Sequence, residues 1–585
     1  MKFYRTIILL NNWQKIQAFI DTRPRRWLAC SIAGIAIYLL LGVFWGVDVC
    51  DNGQYMTFYA NIFTAPETVG YHFMYYLSGI VGGTFLAICP AMGLLGMRLL
   101  GLACLVLCMF TVWRILKPHI SATAIVVGNT LSMVAFVALP VTFCYDLLSI
   151  ALYLLAIEQL LKPRMLTALV GGCLLGINAF SRTPNVLGFI FAFIPLLAVW
   201  CGGKSLKKGA QLAAASIAGI AVGVGGIFVL MAALGHLTIF TDNLATLRHI
   251  AADNSGESSH NIVSLITQQF SFYYIEFTTW FKLASIIGIY TVLRQRIGSP
   301  FIRVMLLLGA LSASVWLMWR MLPLQPIWAL CAIGCLTAIW LNRGNTRYVA
   351  VVALLLMLIF PMGSDSGFNN GTIILMLASP IAIAVCMKHT LMLRTGYFIA
   401  AFAIVCIAKM VTNGAYFDGG PLWKKTAAIN SPRAAGILTT PERAAIVNDA
   451  LKGIQPWVKP GDTLLVYGSM PMLNYLTDTR PAMDCCWPEL LSTSLMAERL
   501  SKIAKPPLVL RQKFVSIGTE FSAPTDSLLQ TYGDSKSTFC SDTKIAALND
   551  FLTENHYQKV FENTHFVLYT PQKNAKKTDL HTVAK

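Results

Sequence analysis

The chain has 585 residues, 56% of them hydrophobic and 12% charged, with a net charge of +18 and a mean hydropathy of +0.62. Soluble chains carry about 25% charged residues, so this composition is shaped for lipid rather than water. The positive charge does not signal nucleic acid, and no such partner is expected, because Lys and Arg fall in short clusters between apolar runs, as in the cytoplasmic loops of a polytopic protein.

Residues 1–26 read as a cytoplasmic N-terminus. Their only apolar run, Thr6 to Leu10, is too short for the hydrophobic region of a cleavable signal. The Arg23, Arg25, Arg26 cluster then anchors the first span. Apolar runs follow near 27–46, 96–116, 122–142, 146–161, 165–180, 186–201 and 209–234. Others lie near 274–293, 302–320, 325–341, 347–362, 371–387 and 395–411. This predicts a polytopic α-helical membrane protein with about 13 transmembrane helices, its membrane module covering 27–411. Alternate connections carry the basic clusters, such as Arg114 with Lys117, Lys204 with Lys207 and Lys208, and Arg294 with Arg296. The stretch from Val47 to Met97 contains neither Lys nor Arg. The positive-inside rule therefore places the N-terminus in the cytoplasm, the 47–95 loop outside and, with an odd span count, the C-terminal region outside. The expected location is the plasma (inner) membrane.

Residues 412–570 change to mixed polar sequence and read as an extracytoplasmic α/β domain. Strand-like runs are Thr463–Tyr467 and His565–Tyr569; helical candidates are Pro441–Lys452 and Leu491–Ala504. The Lys-rich residues 571–585 read as a disordered end. Most cysteines lie in apolar segments as small buried hydrophobes. Cys485, Cys486 and Cys540 lie in the exported domain, where a disulfide can form; spacing does not decide the pairing.

The first exterior loop carries the chemistry-bearing pattern Val47-Asp48-Val49-Cys50-Asp51-Asn52-Gly53-Gln54-Tyr55, continuing to Tyr59. If this segment is helical, Asp48 and Asp51 share one face, and Tyr55 and Tyr59 stand one turn apart, as on a helix lying along the membrane surface. A carboxylate at the water–lipid boundary can take a proton as a general base. Such acids and aromatics also occur simply as markers of the membrane boundary.

Asp51-Asn52-Gly53-Gln54-Tyr55 resembles the Asp-Glu-x-x-Tyr-like motif after the first span of GT-C membrane glycosyltransferases. The similar branch contains the protein O-mannosyltransferases and the lipid A aminoarabinose transferase; Asn52 departs from its usual Glu. The tail segment Lys459–Thr477, a strand followed by a Pro-containing, Tyr-Leu-rich turn, is also similar to tails of that branch. The resemblance implies an enzyme that moves a sugar from a polyprenyl-phosphate donor to a glycolipid, polysaccharide or protein acceptor at the outer face. Asp51 is then the base of an inverting displacement, with Asp48 as second choice.

A departing phosphate needs positive charge or hydrogen-bond donors, and the planar fork of Arg binds two oxygens. Arg182, in Ser181-Arg182-Thr183-Pro184, is the first candidate, beside Arg320 and Arg248; each also reads as a side chain reaching the interface or solvent. Arg248 belongs to a polar loop, Thr241 to His260, that reads as a flap over the site or plain solvated chain. Tyr55, His72, Asp365 and Asn369 are candidate substrate contacts, the last two in the Gly-rich loop Gly363–Gly371. No zinc, EF-hand or nucleotide-type phosphate motif occurs, so no cofactor is assigned and a divalent cation stays open. The competing class is a transporter or flippase of lipid-linked sugars, which intramembrane charges and broken helices would favour.

Overall fold

The computed structural model describes residues 17–136, 141–202, 205–252, 262–321, 324–342, 344–364, 373–388, 392–413, 417–518, 520–525 and 542–572. Apolar sequence becomes helix here for a simple reason. Where water is excluded, each backbone N–H and C=O has to be satisfied within its own segment.

Among the described residues, five helices are long and apolar enough to cross a membrane: Pro24–Phe44, Pro90–Leu116, Leu206–Ala233, Pro300–Arg320 and Gly396–Asn413. The other expected runs fall on helices that are shorter or more polar, including Ala122–Val134, Tyr145–Leu160, Met165–Asn178, Ile262–Arg296, Leu324–Leu341, Asn345–Ile359 and Leu375–Lys388. The run expected at 186–201 begins as 3-10 turns over Thr183–Phe193 and continues as helix Ile194–Gly202.

Small residues set how closely these helices approach. Along Met165–Asn178 and Leu206–Ala233, Gly172, Gly176, Gly219 and Gly223 each press against backbone of the opposite helix, where any Cβ would collide. Close backbone approach through small residues is how apolar helices associate when burial from water offers no preference. Gly128 does the same against Pro380, a proline inside helix Leu375–Lys388.

Beyond the last apolar helix the chain forms an α/β domain. Its strands are β1 at Thr463–Tyr467, β2 at Arg480–Pro481, β3 at Leu508–Gln512, β4 at Tyr557–Glu562 and β5 at Phe566–Pro571, and they form a five-stranded sheet in the order β2-β1-β3-β5-β4. Strands β2, β1 and β3 are parallel, and β5 and β4 continue antiparallel. Helices Pro441–Ile454, Met472–Thr477, Thr493–Ser501 and Asp542–Glu554 complete it. Leu464, Leu465, Val466 and Tyr467 are all buried, the continuous apolar run expected of a parallel strand covered on both faces.

Two expectations are corrected. The 241–260 stretch is not a loop through its described part: helix Leu237–Ala252 covers it, and 253–261 lie outside the described residues. Phe240, Asn243, Thr246 and Ile250 recur at helical spacing on its buried face, and Asn243 Nδ2 donates to the Tyr71 carbonyl at 2.8 Å. Second, the first-loop helix Asp51–Asn61 does not lie along a lipid surface. Residues 52–59 are all buried, between the apolar helices and the tail domain. Cys485 and Cys486 are buried and not bonded to each other, and Cys540 lies outside the described residues.

Candidate functional site

The first loop is held in place by the tail. Gly46 N–H donates to the Leu438 carbonyl at 2.8 Å, and Met472 N–H to the Val49 carbonyl at 3.2 Å. Thr57 Oγ1 donates to the Pro471 carbonyl at 2.9 Å. Asp418, fully buried, accepts from Val47 N–H at 2.5 Å and Thr439 Oγ1 at 2.7 Å, and pairs with Lys425 Nζ at 2.7 Å and Arg443 Nε at 3.4 Å. Arg443 Nη1 in turn donates to the Val47 carbonyl at 3.1 Å. Buried charges paired and hydrogen-bonded in this way hold one geometry, since releasing either partner strands the other.

Asp48 and Asp51 have different surroundings. Asp48 is 1% exposed and precedes the helix rather than sharing a helical face with Asp51. Its Oδ1 accepts from Cys50 N–H at 2.8 Å and its Oδ2 from Asn52 N–H at 2.9 Å, so it satisfies donors at the helix start. Burial pushes its carboxyl up to about 6, against the pull of those two amides, Arg443 and Arg98. Asp51 is the first residue of the helix and half-buried, which leaves it the more accessible acid.

From Asp51 the helix leads one turn on to Tyr55, whose ring meets Tyr145 edge-on at 5.7 Å. Tyr145 is stacked on Tyr75 at 3.9 Å with 6° between the planes. Burial raises the Tyr55 hydroxyl well above its ordinary range, and the nearby Tyr145, Asp51, Cys144 and Asp146 push the same way. Asp51 and Asp146 therefore flank the same aromatic group. Asp146 follows Tyr145 in the first turn of helix Tyr145–Leu160 and faces Arg182 Nη1 across 3.7 Å.

Arg182 is 3% exposed. Its Nη1 donates to the Phe360 carbonyl at 2.8 Å and its Nη2 to the Met362 carbonyl at 3.2 Å, with the guanidinium 5.4 Å over the Phe360 ring. Packing against the first loop locates this arginine: Leu77 N–H donates to the Phe180 carbonyl at 2.8 Å, and Thr183 Oγ1 to the Met74 carbonyl at 3.4 Å. Two of its five N–H donors are committed to those carbonyls, which orients the fork while leaving donors over. A run of contacts thus links an accessible carboxylate, an aromatic group and an oriented guanidinium.

The other candidates have different placements. His72 is fully buried, with Nδ1 3.1 Å from Gln54 Nε2 and Nε2 3.1 Å from Cys486 Sγ. Burial lowers its imidazole to about 3, so this neutral ring joins the first loop to the tail rather than presenting a charge. Arg320 is exposed and lies 4.5 Å over the Trp316 ring. Arg248 is exposed on helix Leu237–Ala252. Among the described residues, the partners of Arg182 are Asp146, Phe360 and Met362, and neither Arg320 nor Arg248 joins them. Asp365 and Asn369 lie outside the described residues.

Asp146, Tyr145 and Tyr75 belong to the cluster without having been sequence candidates for its chemistry. The available signal was an acid in the first turn of an apolar run, Cys144-Tyr145-Asp146, with the same form as Cys50-Asp51. Among the described residues, no group of three or more His, Cys, Asp or Glu side chains gathers to hold a metal ion. No protein-family model matches the chain, and no curated protein matches it.

Proposed function

We propose that the chain is a membrane glycosyltransferase of the GT-C type, moving a sugar from a polyprenyl-phosphate carrier to an acceptor hydroxyl at the outer face of the plasma membrane. On this reading about 13 helices span the bilayer, with the N-terminus cytoplasmic and the tail domain outside. The observation that carries the proposal is the convergence of Asp51, the Tyr55–Tyr145–Tyr75 stack and the Asp146–Arg182 pair, drawn from the first loop and two apolar helix ends.

The chemistry suits those groups. The acceptor hydroxyl gives its proton to the Asp51 carboxylate as its oxygen bonds to the anomeric carbon. The bond from that carbon to the phosphate oxygen breaks, and the electron pair leaves with the lipid phosphate. Arg182 receives the developing negative charge through its remaining N–H donors. Asp146, at 3.7 Å, helps to hold the guanidinium in place. The aromatic stack offers flat faces against which a sugar ring packs.

The test is transfer of radiolabelled sugar from a panel of polyprenyl-phosphate donors to membrane acceptors, comparing the native chain with Asp51→Asn. We expect transfer by the native chain and a loss of 10²-fold or more, on the order typical for a general base, in a variant with an unchanged melting temperature. An active native chain matched by Asp51→Asn removes Asp51 from the mechanism. Absence of transfer from every donor brings the transporter class forward.

A further inference from the structure

Helix Ile262–Arg296 presents one narrow buried face. Gln269, Glu276, Leu283 and Tyr290 are 6%, 2%, 6% and 1% exposed, at intervals of seven residues. Between them Phe270, Tyr274, Ile275, Phe277 and Phe281 are exposed, as on a lipid-facing surface. The buried face meets helix Leu324–Leu341, where the Tyr273 and Trp328 rings lie 5.5 Å apart. Glu276 stands one turn on from Tyr273 along that seam.

Neither carboxylate oxygen of Glu276 has a hydrogen-bond partner among the described residues, and the same holds for Gln269 Nε2 and Gln268 Oε1. Among the described residues no cation supplies one. Lys282 is six residues on, about 240° around the helix, and exposed. Arg320 is engaged with the Trp316 ring, and Lys409 Nζ donates to the Met321 carbonyl. A carboxylate removed from water without a partner carries a large free-energy penalty, and an ionisable side chain inside an apolar helix layer marks a binding function by default.

The depth of Glu276 narrows the ligand; this step rests on the topology proposed above. Arg294 and Arg296 mark the cytoplasmic end of the helix, and Glu276 stands about 27 Å farther along it at 1.5 Å per residue. With a hydrocarbon core of about 30 Å, that is the level where outer-leaflet head groups begin. We propose that Glu276 is a binding site for the cationic head group of an outer-leaflet lipid, a primary ammonium whose N–H donors meet the unpartnered carboxylate. It shares no residue with the Asp51–Arg182 site.

The probe is a lipid set with one acyl composition: phosphatidylethanolamine, with a primary ammonium; phosphatidylglycerol, with hydroxyls only; phosphatidylcholine, with a charge but no N–H. The full chain is placed in nanodiscs holding equal amounts of the three, and retained lipid is read by native mass spectrometry. We expect phosphatidylethanolamine to be retained about tenfold over phosphatidylcholine, the scale of a charge-assisted hydrogen bond. Glu276→Gln brings that ratio close to one, whereas Glu276→Asp and Lys282→Gln keep it. Equal retention of the three lipids by the native chain overturns the site, as does an unchanged ratio in Glu276→Gln. A failure of the topology shows separately, in the cysteine-accessibility experiment below, and a failure of the transfer reaction shows in the Asp51→Asn assay.

Discussion

Buried carboxylates in the loop–tail junction differ according to what surrounds them. Asp418 has two cationic partners, Asp48 has two backbone amides, and Glu489 has a hydroxyl and an indole: its Oε2 accepts from Ser469 Oγ at 3.0 Å and from Trp487 Nε1 at 3.2 Å. Burial outweighs those bonds and the charge of Lys544, pushing the Glu489 carboxyl from 4.5 up to about 7. A carboxyl raised in the folded state binds more protons folded than unfolded, so its contribution to stability is fully present below pH 4.5 and lost as pH rises through about 7. Glu489→Gln keeps an acceptor oxygen and cannot ionise. We expect thermal melts of the full chain to show a smaller loss of stability between pH 4.5 and 7 in the variant, by up to about 3 kcal/mol. Equal pH slopes in the two proteins would mean that Glu489 does not titrate in this window.

The helix Asp51–Asn61 is the element on which the candidate site depends, and it is held on both sides. Gly53 sits against the Met472 backbone so closely that a Cβ would collide with it. Alanine ordinarily gains about 1 kcal/mol over glycine inside a helix. Here overpacking opposes that gain, and we expect Gly53→Ala to lower stability by about 1–3 kcal/mol, measured as a lower melting temperature. Gly34→Ala is the matched control, because a Cβ at Gly34 in helix Pro24–Phe44 meets nothing within 4 Å, and it should be neutral or stabilising. The sequence made this helix legible as an aromatic element beginning near an acid. Its burial was not legible, because the tail residues that cover it, such as Pro471 and Met472, lie more than 400 positions away. Helix Leu237–Ala252 was obscured differently: its polar residues Asn243 and Thr246 read as solvated loop until Tyr71 and Arg499 supply their partners.

At the scale of the whole molecule, the positive-inside pattern makes a directional prediction. In intact spheroplasts, a membrane-impermeant maleimide should label a cysteine introduced at Trp457, an exposed tail position. A cysteine introduced at Lys208, also exposed, should label only after permeabilisation. Labelling in the opposite pattern would reverse the orientation and with it the outer-face reaction. Native Cys485 and Cys486, buried at the junction, should stay unlabelled until the protein is denatured.

Sequence by itself determined the helical, apolar character of the 27–411 module, the change to an α/β tail and the presence of an acid at the head of the first long loop. Those properties are local: composition, periodicity and charge clusters are read within windows of about 20 residues or fewer. Tertiary structure alone decided that Asp48 is spent on backbone amides while Asp51 stays accessible, and that His72 serves as a joint. It also decided that Arg182 faces Asp146 and that the tail is wedged against the first loop. Each of these depends on which distant segment removes water from a side chain and which donor or charge comes with it. Burial and pairing of that kind belong to the folded chain, and no local window of sequence contains them.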